Sequence, residues 1–315
     1  MSSHSTLPHR VLVTGATGFI GRHLVPQLVS RGYHPVLAVR NATKARALFG
    51  PAAEVLADLA ELERHEPVEA VVNLAGEPIA GGLWTKRRRA VLLGSRIGVT
   101  AELRSRLERL ATRPATWINA SAIGYYGARD DEELTEAASA GRGFQAELCR
   151  RWEQAAREVS ALGACVSVVR FGVVLGSDGG ALPALARPVR LYAGTVLGTG
   201  RQWLSWIHVE DLIALLMFAL ERRTLTGAIN ATAPMPVRYD EFMAALAAAL
   251  RRPLWPLHVP SGLVRLALGE LAELFVDGQR VLPARATELG FAFRYPNVTA
   301  ALAAIYGGAS LSATE

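Results

Sequence analysis

The chain has 315 residues, half of them hydrophobic and 20% charged, which excludes a disordered polypeptide and allows a large core in one or two domains. Its polar opening, Met1 to Arg10, lacks the apolar segment of a secretory signal; no apolar run approaches the ~20 residues of a membrane span, and Cys149 and Cys165 lack metal or redox spacing, so a cytoplasmic protein with reduced thiols is expected. The net charge of +6 suits an anionic cofactor or substrate; its densest cluster, Lys86-Arg87-Arg88-Arg89, carries no interleaved aromatics and reads as a solvated helix face rather than a nucleic-acid patch.

Val11-Leu12-Val13-Thr14 reads as a first strand, running into Gly15-Ala16-Thr17-Gly18-Phe19-Ile20-Gly21 and then a helical pattern with Leu24, Val25, Leu28 and Val29. Strand, glycine turn and helix in that order make a phosphate cradle of the G-x-x-G-x-x-G kind. Gly15 takes the tight turn, Gly18 leaves room for a pyrophosphate, and Gly21 lets helix and strand approach. Tyr33 to Arg40 reads as the second strand, with Val36 to Val39 running into Arg40. An acidic residue there would select NAD(H) through the ribose 2′-hydroxyl, whereas a cation accommodates a 2′-phosphate, so NADP(H) is expected over NAD(H); the plainer alternative is an exposed surface arginine. Glu54 to Leu59 is a short third strand. Its Asp58 either meets the adenine amino group or caps the next helix.

Ala70-Val71-Val72-Asn73-Leu74-Ala75-Gly76 is the fourth strand, apolar as a central parallel strand requires, with small residues at its end for close approach to a cofactor. A long helix over roughly 85–110 follows, then a fifth strand, Thr116 to Ser121. Residues 130–142 read as loop, 144–159 as helix, and Cys165 to Phe171 as a sixth strand carrying Arg170. This alternation argues for a doubly wound parallel sheet. Beyond Gly176 the pattern loosens: a strand-like run from Trp203 enters an apolar helix at Asp211, a short strand spans Ala228 to Ala231, and a helix covers 240–250. Ser261 is expected to cap a helix over 262–275.

These residues resemble the extended short-chain dehydrogenase/reductases, and within them the atypical branch of NAD-dependent epimerase/dehydratase-like proteins called the epimerase family. The likeness rests on Thr14 to Gly21, Asn-Leu-Ala-Gly-Glu-Pro-Ile at 73–79, Gly94-Ser95-Arg96-Ile97, Ser121 through Tyr125-Tyr126-Gly127, Ile207 to Leu212, and Gly278-Gln279-Arg280-Val281-Leu282-Pro283 with Gly290-Phe291. It covers about residues 10–305 and implies a Rossmann fold and a nicotinamide dinucleotide. Relatives of this kind use a Tyr-x-x-x-Lys pair on the helix after strand five, with a hydroxyl at that strand's end. Here the helix reads Phe144-Gln145-Ala146-Glu147-Leu148-Cys149, with Phe144 or Gln145 near the tyrosine position and Leu148 or Cys149 near the lysine position. The usual hydroxyl position falls on Ala122, beside Ser121.

With that pair missing, Tyr125 is the candidate proton donor and Ser121 the candidate ligand of a substrate carbonyl; the alternatives are that Tyr125 lines and packs, and that Ser121 satisfies backbone. Cys149 and His208 read as a buried thiol and a structural histidine, while Arg170, Trp203 and Trp206 are pocket neighbours by analogy. The expectation is an α/β chain with an NADP(H)-binding Rossmann domain at 1–175, a smaller interleaved substrate lobe at 176–305, and a tail at 306–315. Cofactor contacts are expected from Gly15, Thr17, Gly18, Phe19, Ile20, Gly21, Arg40, Asp58, Leu59, Leu74, Ala75 and Gly76. Function is expected to be that of an oxidoreductase or epimerase-like enzyme acting on a small molecule, with no nucleic-acid or membrane partner. The alternative is a non-catalytic NADP(H) sensor or assembly module. A homodimer through the helices carrying Leu92, Leu93 and Leu103 is a further expectation, although those faces are also needed for packing on the sheet.

Overall fold

The computed structural model describes residues 10–64 and 67–307; the polar opening through His9 and the tail beyond 307 lie outside the described residues. Seven strands form one parallel sheet: β1 (Arg10–Thr14), β2 (His34–Ala38), β3 (Glu54–Leu56), β4 (Ala70–Asn73), β5 (Thr116–Ala122), β6 (Cys165–Phe171) and β7 (Gly227–Ala231). Their spatial order is β7-β6-β5-β4-β1-β2-β3. Strand order reverses between β1 and β4, so a crevice opens at the carboxyl ends of those two strands. No helix among the described residues is long and apolar enough to cross a membrane.

The pleat sorts each strand's side chains onto two covered faces. Val11, Val13, Val72, Ile118 and Val169 face the layer of α1 (Phe19–Ser30). Leu12, Val71, Trp117 and Val168 face the opposite layer. Between the two layers the chain runs through α2 (Ala42–Phe49), α3 (Lys86–Leu93), α4 (Val99–Glu108) and α5 (Phe144–Arg157), of which α4 and α5 supply Leu103, Leu107 and Ala156 to the second face. Each fully buried leucine or valine contributes about 1.5–3 kcal/mol relative to exposure.

Beyond β6 come α6 (Leu182–Arg190), α7 (Val209–Glu221), α8 (Tyr239–Leu250), α9 (Ser261–Leu268), α10 (Glu273–Val276), α11 (Ala284–Glu288) and α12 (Val298–Gly307). Helix α7 returns to the first face, with Leu212, Leu215, Leu216 and Leu220 beside α1, and β7 adds the sheet's outer strand. Residues after 176 are thus threaded back through the sheet. Helices α6, α8 and α12 enclose a separate core around Trp206, Phe242, Leu246 and Leu302.

Three local expectations change. The helix over 85–110 is two α-helices joined by a five-residue π turn, Gly94–Gly98, which a helical pattern in sequence does not resolve. The loop at 130–142 holds a short strand, Glu133–Leu134, that pairs in parallel with Arg280–Val281; its partner is almost 150 residues away, so no local signal marks it. Ser261 makes no capping hydrogen bond: Pro260 holds the cap position, and the helix ends at Gly269, whose φ of 56° breaks it before Phe275. Leu92 and Leu103 are fully buried against the chain's own core, and Leu93 is half-buried.

Candidate active site

At the end of β1 the chain must turn sharply into α1. Gly15 does so with φ at 66°, and a Cβ there would lie 2.6 Å from the Leu74 carbonyl oxygen. Gly21 lets the first turn of the helix lie close to the strand end, since a Cβ there would fall 2.5 Å from Ala16. Thr17, Gly18 and Ile20 complete the turn. The Phe19 ring instead lies over the glycines at 176, 179 and 180, where a Cβ would fall within 3 Å of it or nearly so. The first turn of α1 carries no acidic side chain and no side-chain cap over its N–H groups. A buried polar network fixes this crest: Thr14 Oγ1 donates to Asn73 Oδ1 at 2.6 Å, and the Ala75 N–H donates to Thr14 Oγ1 at 3.2 Å. Asn73 Nδ2 donates in turn to Asn119 Oδ1 at 2.7 Å and to Thr100 Oγ1 at 2.9 Å.

The π turn brings Arg96 up behind the end of β4. Its Nη2 donates to the Glu77 carbonyl at 2.9 Å, and a Cβ on Gly76 would meet the guanidinium at 3.0 Å. Ser95 Oγ accepts from the Glu77 N–H at 3.1 Å. The Gly94-Ser95-Arg96-Ile97 motif therefore supports the loop Leu74-Ala75-Gly76 from below. Arg40 stands just past β2, 90% exposed, with Nη1 2.8 Å from Glu77 Oε1. Asp58 Oδ1 accepts from the Ala60 N–H at 2.8 Å, capping the short helical turn that begins at Leu59.

Ser121, Tyr125 and Tyr126 gather at the end of β5 around a buried carboxylate that the sequence reading missed. Glu153 of α5 is fully buried and accepts from Ser121 Oγ at 2.9 Å, Arg170 Nε at 2.8 Å, Arg170 Nη2 at 2.9 Å and Arg157 Nη2 at 2.9 Å. Arg170 Nη1 donates to the Tyr126 hydroxyl at 2.8 Å, which donates to Asn230 Oδ1 at 2.7 Å. The Tyr125 ring lies over the Arg170 guanidinium, 3.5 Å from Cζ to centroid. Burial disfavours the Arg170 charge, yet the Glu153 bonds raise its pKa above the ordinary value. Helical phase held a signal for Glu153: it is four residues past Cys149 on the face that buries Ala146, Cys149 and Ala156.

The same phase decides between the paired candidates on α5. Phe144 turns away to stack edge-on against Trp84, with centroids 5.2 Å apart, and Leu148 joins that cluster. Gln145 lies against Gly124, where a Cβ would meet its Oε1 at 3.0 Å. Cys149 is buried near Ser121 and Ala122; burial raises its pKa to about 11, so it is a neutral thiol at pH 7. His208 is a helix cap, its Nδ1 accepting from the Glu210 N–H at 3.1 Å, and burial lowers its pKa to about 4.

Two adjoining cavities open beside these groups. The larger, about 350 Å³, is lined by Asp131, Arg201, Gln202, Trp203 and Arg238 among others. Trp203 Nε1 donates to Asp131 Oδ1 at 2.7 Å while the Arg238 guanidinium lies 3.9 Å from the indole centroid. Trp206, expected at the pocket, is instead fully buried in the lobe core. The smaller cavity, about 90 Å³, is lined by Gly127, Arg142, Gln145, Glu273, Asp277 and Gln279, among others. Gly278 passes so close to Trp203 that a Cβ would lie 2.4 Å from its nitrogen, which explains the glycine of that motif.

This crest fits a dinucleotide: the turn at 15–21 presents N–H groups with no side chain over them, and no acidic residue opposes a phosphate in that first turn. A family model described as "NAD dependent epimerase/dehydratase family" matches residues 11–231, and one described as "Domain of unknown function (DUF1731)" matches residues 259–305. The epimerase family protein SDR39U1 homolog, chloroplastic, of Arabidopsis thaliana is 41% identical over 311 residues, 96% of this chain and 88% of the relative. The crystal structure of human epimerase family protein SDR39U1 (isoform2) with NADPH superposes with a TM-score of 0.85 at 33% identity, over 95% of this chain and 99% of that one. A UDP-glucuronic acid 4-epimerase from Bacillus cereus, in complex with UDP-glucuronic acid and NAD, shares the fold with a TM-score of 0.76 at 18% identity, over 95% of this chain and 98% of that one. With that family's model matched over residues 11–231, the chain belongs to the NAD dependent epimerase/dehydratase family.

Proposed function

We propose that this protein is an NADP(H)-dependent oxidoreductase or epimerase-like enzyme that acts on a small-molecule carbonyl or alcohol without a Tyr-x-x-x-Lys pair. The observation that carries this reading is the glycine turn at 15–21, uncapped by any side chain and free of acidic residues, at the carboxyl end of a parallel sheet. Gly15, Thr17, Gly18, Phe19, Ile20 and Gly21 would hold the diphosphate, Arg40 the 2′-phosphate, Asp58 and Leu59 the adenine, and Leu74, Ala75 and Gly76 the inner edge of the dinucleotide. A bound nicotinamide supplies or accepts the hydride.

Arg40 supports NADP(H) because its pair with Glu77 is an exposed one worth about 0–1 kcal/mol, little to give up for a phosphate. The human relative crystallised with NADPH points the same way. Ser121 directs its proton to Glu153 and Tyr125 lays its ring on Arg170, so both belong to the buried network at the end of β5.

A second reading, a sensor or assembly module that binds NADP(H) without turnover, is favoured by the lack of a readily exchanged proton on Gln145 or Cys149. The two separate on NADPH oxidation against aldehydes, quinones and keto-sugar nucleotides. Turnover supports the enzyme; a melting temperature raised by NADPH with no turnover of any member supports the sensor.

A further inference from the structure

A carbonyl reduced to an alcohol gains a proton on oxygen, and something must deliver it. At the position where relatives carry tyrosine this chain has Gln145, whose amide does not ionise near neutral pH. Gln145 does not stand alone. Its side chain shares a small cavity with the Glu273 carboxyl, which arrives from α10 in the C-terminal segment. Both line the 90 Å³ cavity at the end of β5, together with Gly127, Arg142, Asp277 and Gln279.

Glu273 is held there by packing. Leu271, two residues earlier and 6% exposed, inserts among Trp84, Leu92 and Leu148. Phe275, two residues later, offers its carbonyl to Gln202 Nε2 at 2.9 Å, and Asp277 is tied to Arg265 at 2.6 Å. The carboxyl is thus fixed on the cavity wall over the residue that replaces tyrosine.

We propose that Glu273 is the general acid and base of this enzyme, taking over from the C-terminal segment the proton transfer that the helix after β5 cannot perform. The proposal rests on the oxidoreductase reading above. In the reducing direction the substrate C=O π bond breaks, its carbon gains hydride as NADPH becomes NADP⁺, and its oxygen takes the proton from Glu273 Oε. The carboxylate left behind recovers a proton from water. In the oxidising direction the carboxylate accepts the hydroxyl proton.

The surroundings suit that task. Burial pushes the Glu273 carboxyl above its ordinary pKa, and the carboxylates of Asp277 and Glu270 push the same way. Gln145 and Arg265 oppose them, and Arg142 lines the same cavity. A raised carboxyl keeps a proton closer to neutral pH, where a general acid works best.

The test uses the full chain with NADPH, phenanthrenequinone and benzaldehyde as probes, and Glu273→Gln as the variant. Glutamine keeps the shape and the hydrogen-bonding capacity but loses the titrating proton. Turnover is expected to fall about 100-fold or more, with the NADPH dissociation constant within about twofold of wild type. Reduction by the wild type should decline as pH rises through the Glu273 pKa, and the variant should lose that decline. Independently of turnover, pH-difference infrared spectra of the NADPH complex should show a protonated-carboxyl band titrating above the ordinary glutamate range and missing in Glu273→Gln. Equal turnover in both proteins, or no such band, overturns the role of Glu273 and leaves the oxidoreductase reading standing. NADPH binding with no turnover of either probe or of the wider panel removes that reading, and the role of Glu273 with it.

Discussion

Replacing Glu153 with alanine strips the counter-charge from a guanidinium that cannot reach water. Arg170 is 2% exposed and makes two bonds to Glu153, at 2.8 and 2.9 Å. Removing one member of such a buried pair costs about 3–5 kcal/mol, because the other is left desolvated and unpaired. Unfolding entropy of about 2.1 cal/mol/K per residue over the chain gives roughly 0.6–0.7 kcal/mol per degree, so the melting temperature should fall about 5–8 °C. Ser121→Ala removes a single hydrogen bond and should cost only about 1–2 kcal/mol. Adding Arg170→Met to Glu153→Ala should restore much of the loss, since an apolar side chain needs no partner. Thermal unfolding followed by circular dichroism reads all four proteins. A Glu153→Ala melting temperature within 1 °C of wild type would show that the pair does not hold the β5 and β6 ends, and would remove the physical basis for the placement of Tyr125.

Gly15→Ala drives a Cβ into the Leu74 carbonyl and should weaken NADPH binding more than tenfold, whereas Gly32→Ala, also at positive φ but with nothing within 4 Å, should cost about 1–2 kcal/mol of stability and leave binding intact; calorimetry and thermal melts compare them. His208 has a folded pKa of about 4, below its ordinary value, so the unfolded chain binds the proton first as pH falls. Stability should therefore decline between about pH 6.5 and pH 4 by up to about 1.4 kcal/mol per unit, and His208→Asn, which keeps a capping oxygen, should flatten that limb in urea titrations. Iodoacetamide at pH 8 should leave buried Cys149 unlabelled in the native protein and label it after unfolding, as peptide mass spectrometry would show; rapid native labelling would contradict a thiol with a pKa of about 11.

Much of the sheet was legible because its determinants are local. Near-continuous apolar runs such as Ala70 to Val72 announce parallel strands, and the spacing of Gly15, Gly18 and Gly21 announces the turn into α1. The parts that escaped depend on distant partners. Glu133–Leu134 is a strand only because Arg280–Val281 lies beside it, and Glu273 enters the site only because Leu271 anchors its segment on α3 and α5. Arg96 is aimed at the Gly76 loop by a π turn that helical periodicity hides. Asn73 and Asn119 were readable as strand residues, but the polar ladder they form with Thr14 and Thr100 appears only when β1, β4 and β5 are set side by side. Asp58, by contrast, was readable locally: its bond to the Ala60 N–H is the capping role that its place before a helical turn announces.

Titration calorimetry of NADPH and NADH into the wild type and Arg40→Ala, at one fixed ionic strength, tests the cofactor assignment on which the enzyme and the role of Glu273 both depend. NADPH should bind about tenfold or more tighter than NADH, matching one charge-assisted contact to the 2′-phosphate, and Arg40→Ala should bring the two together. Equal affinity of the wild type for both nucleotides would contradict the NADP(H) preference, and no heat from either would contradict the dinucleotide cradle itself.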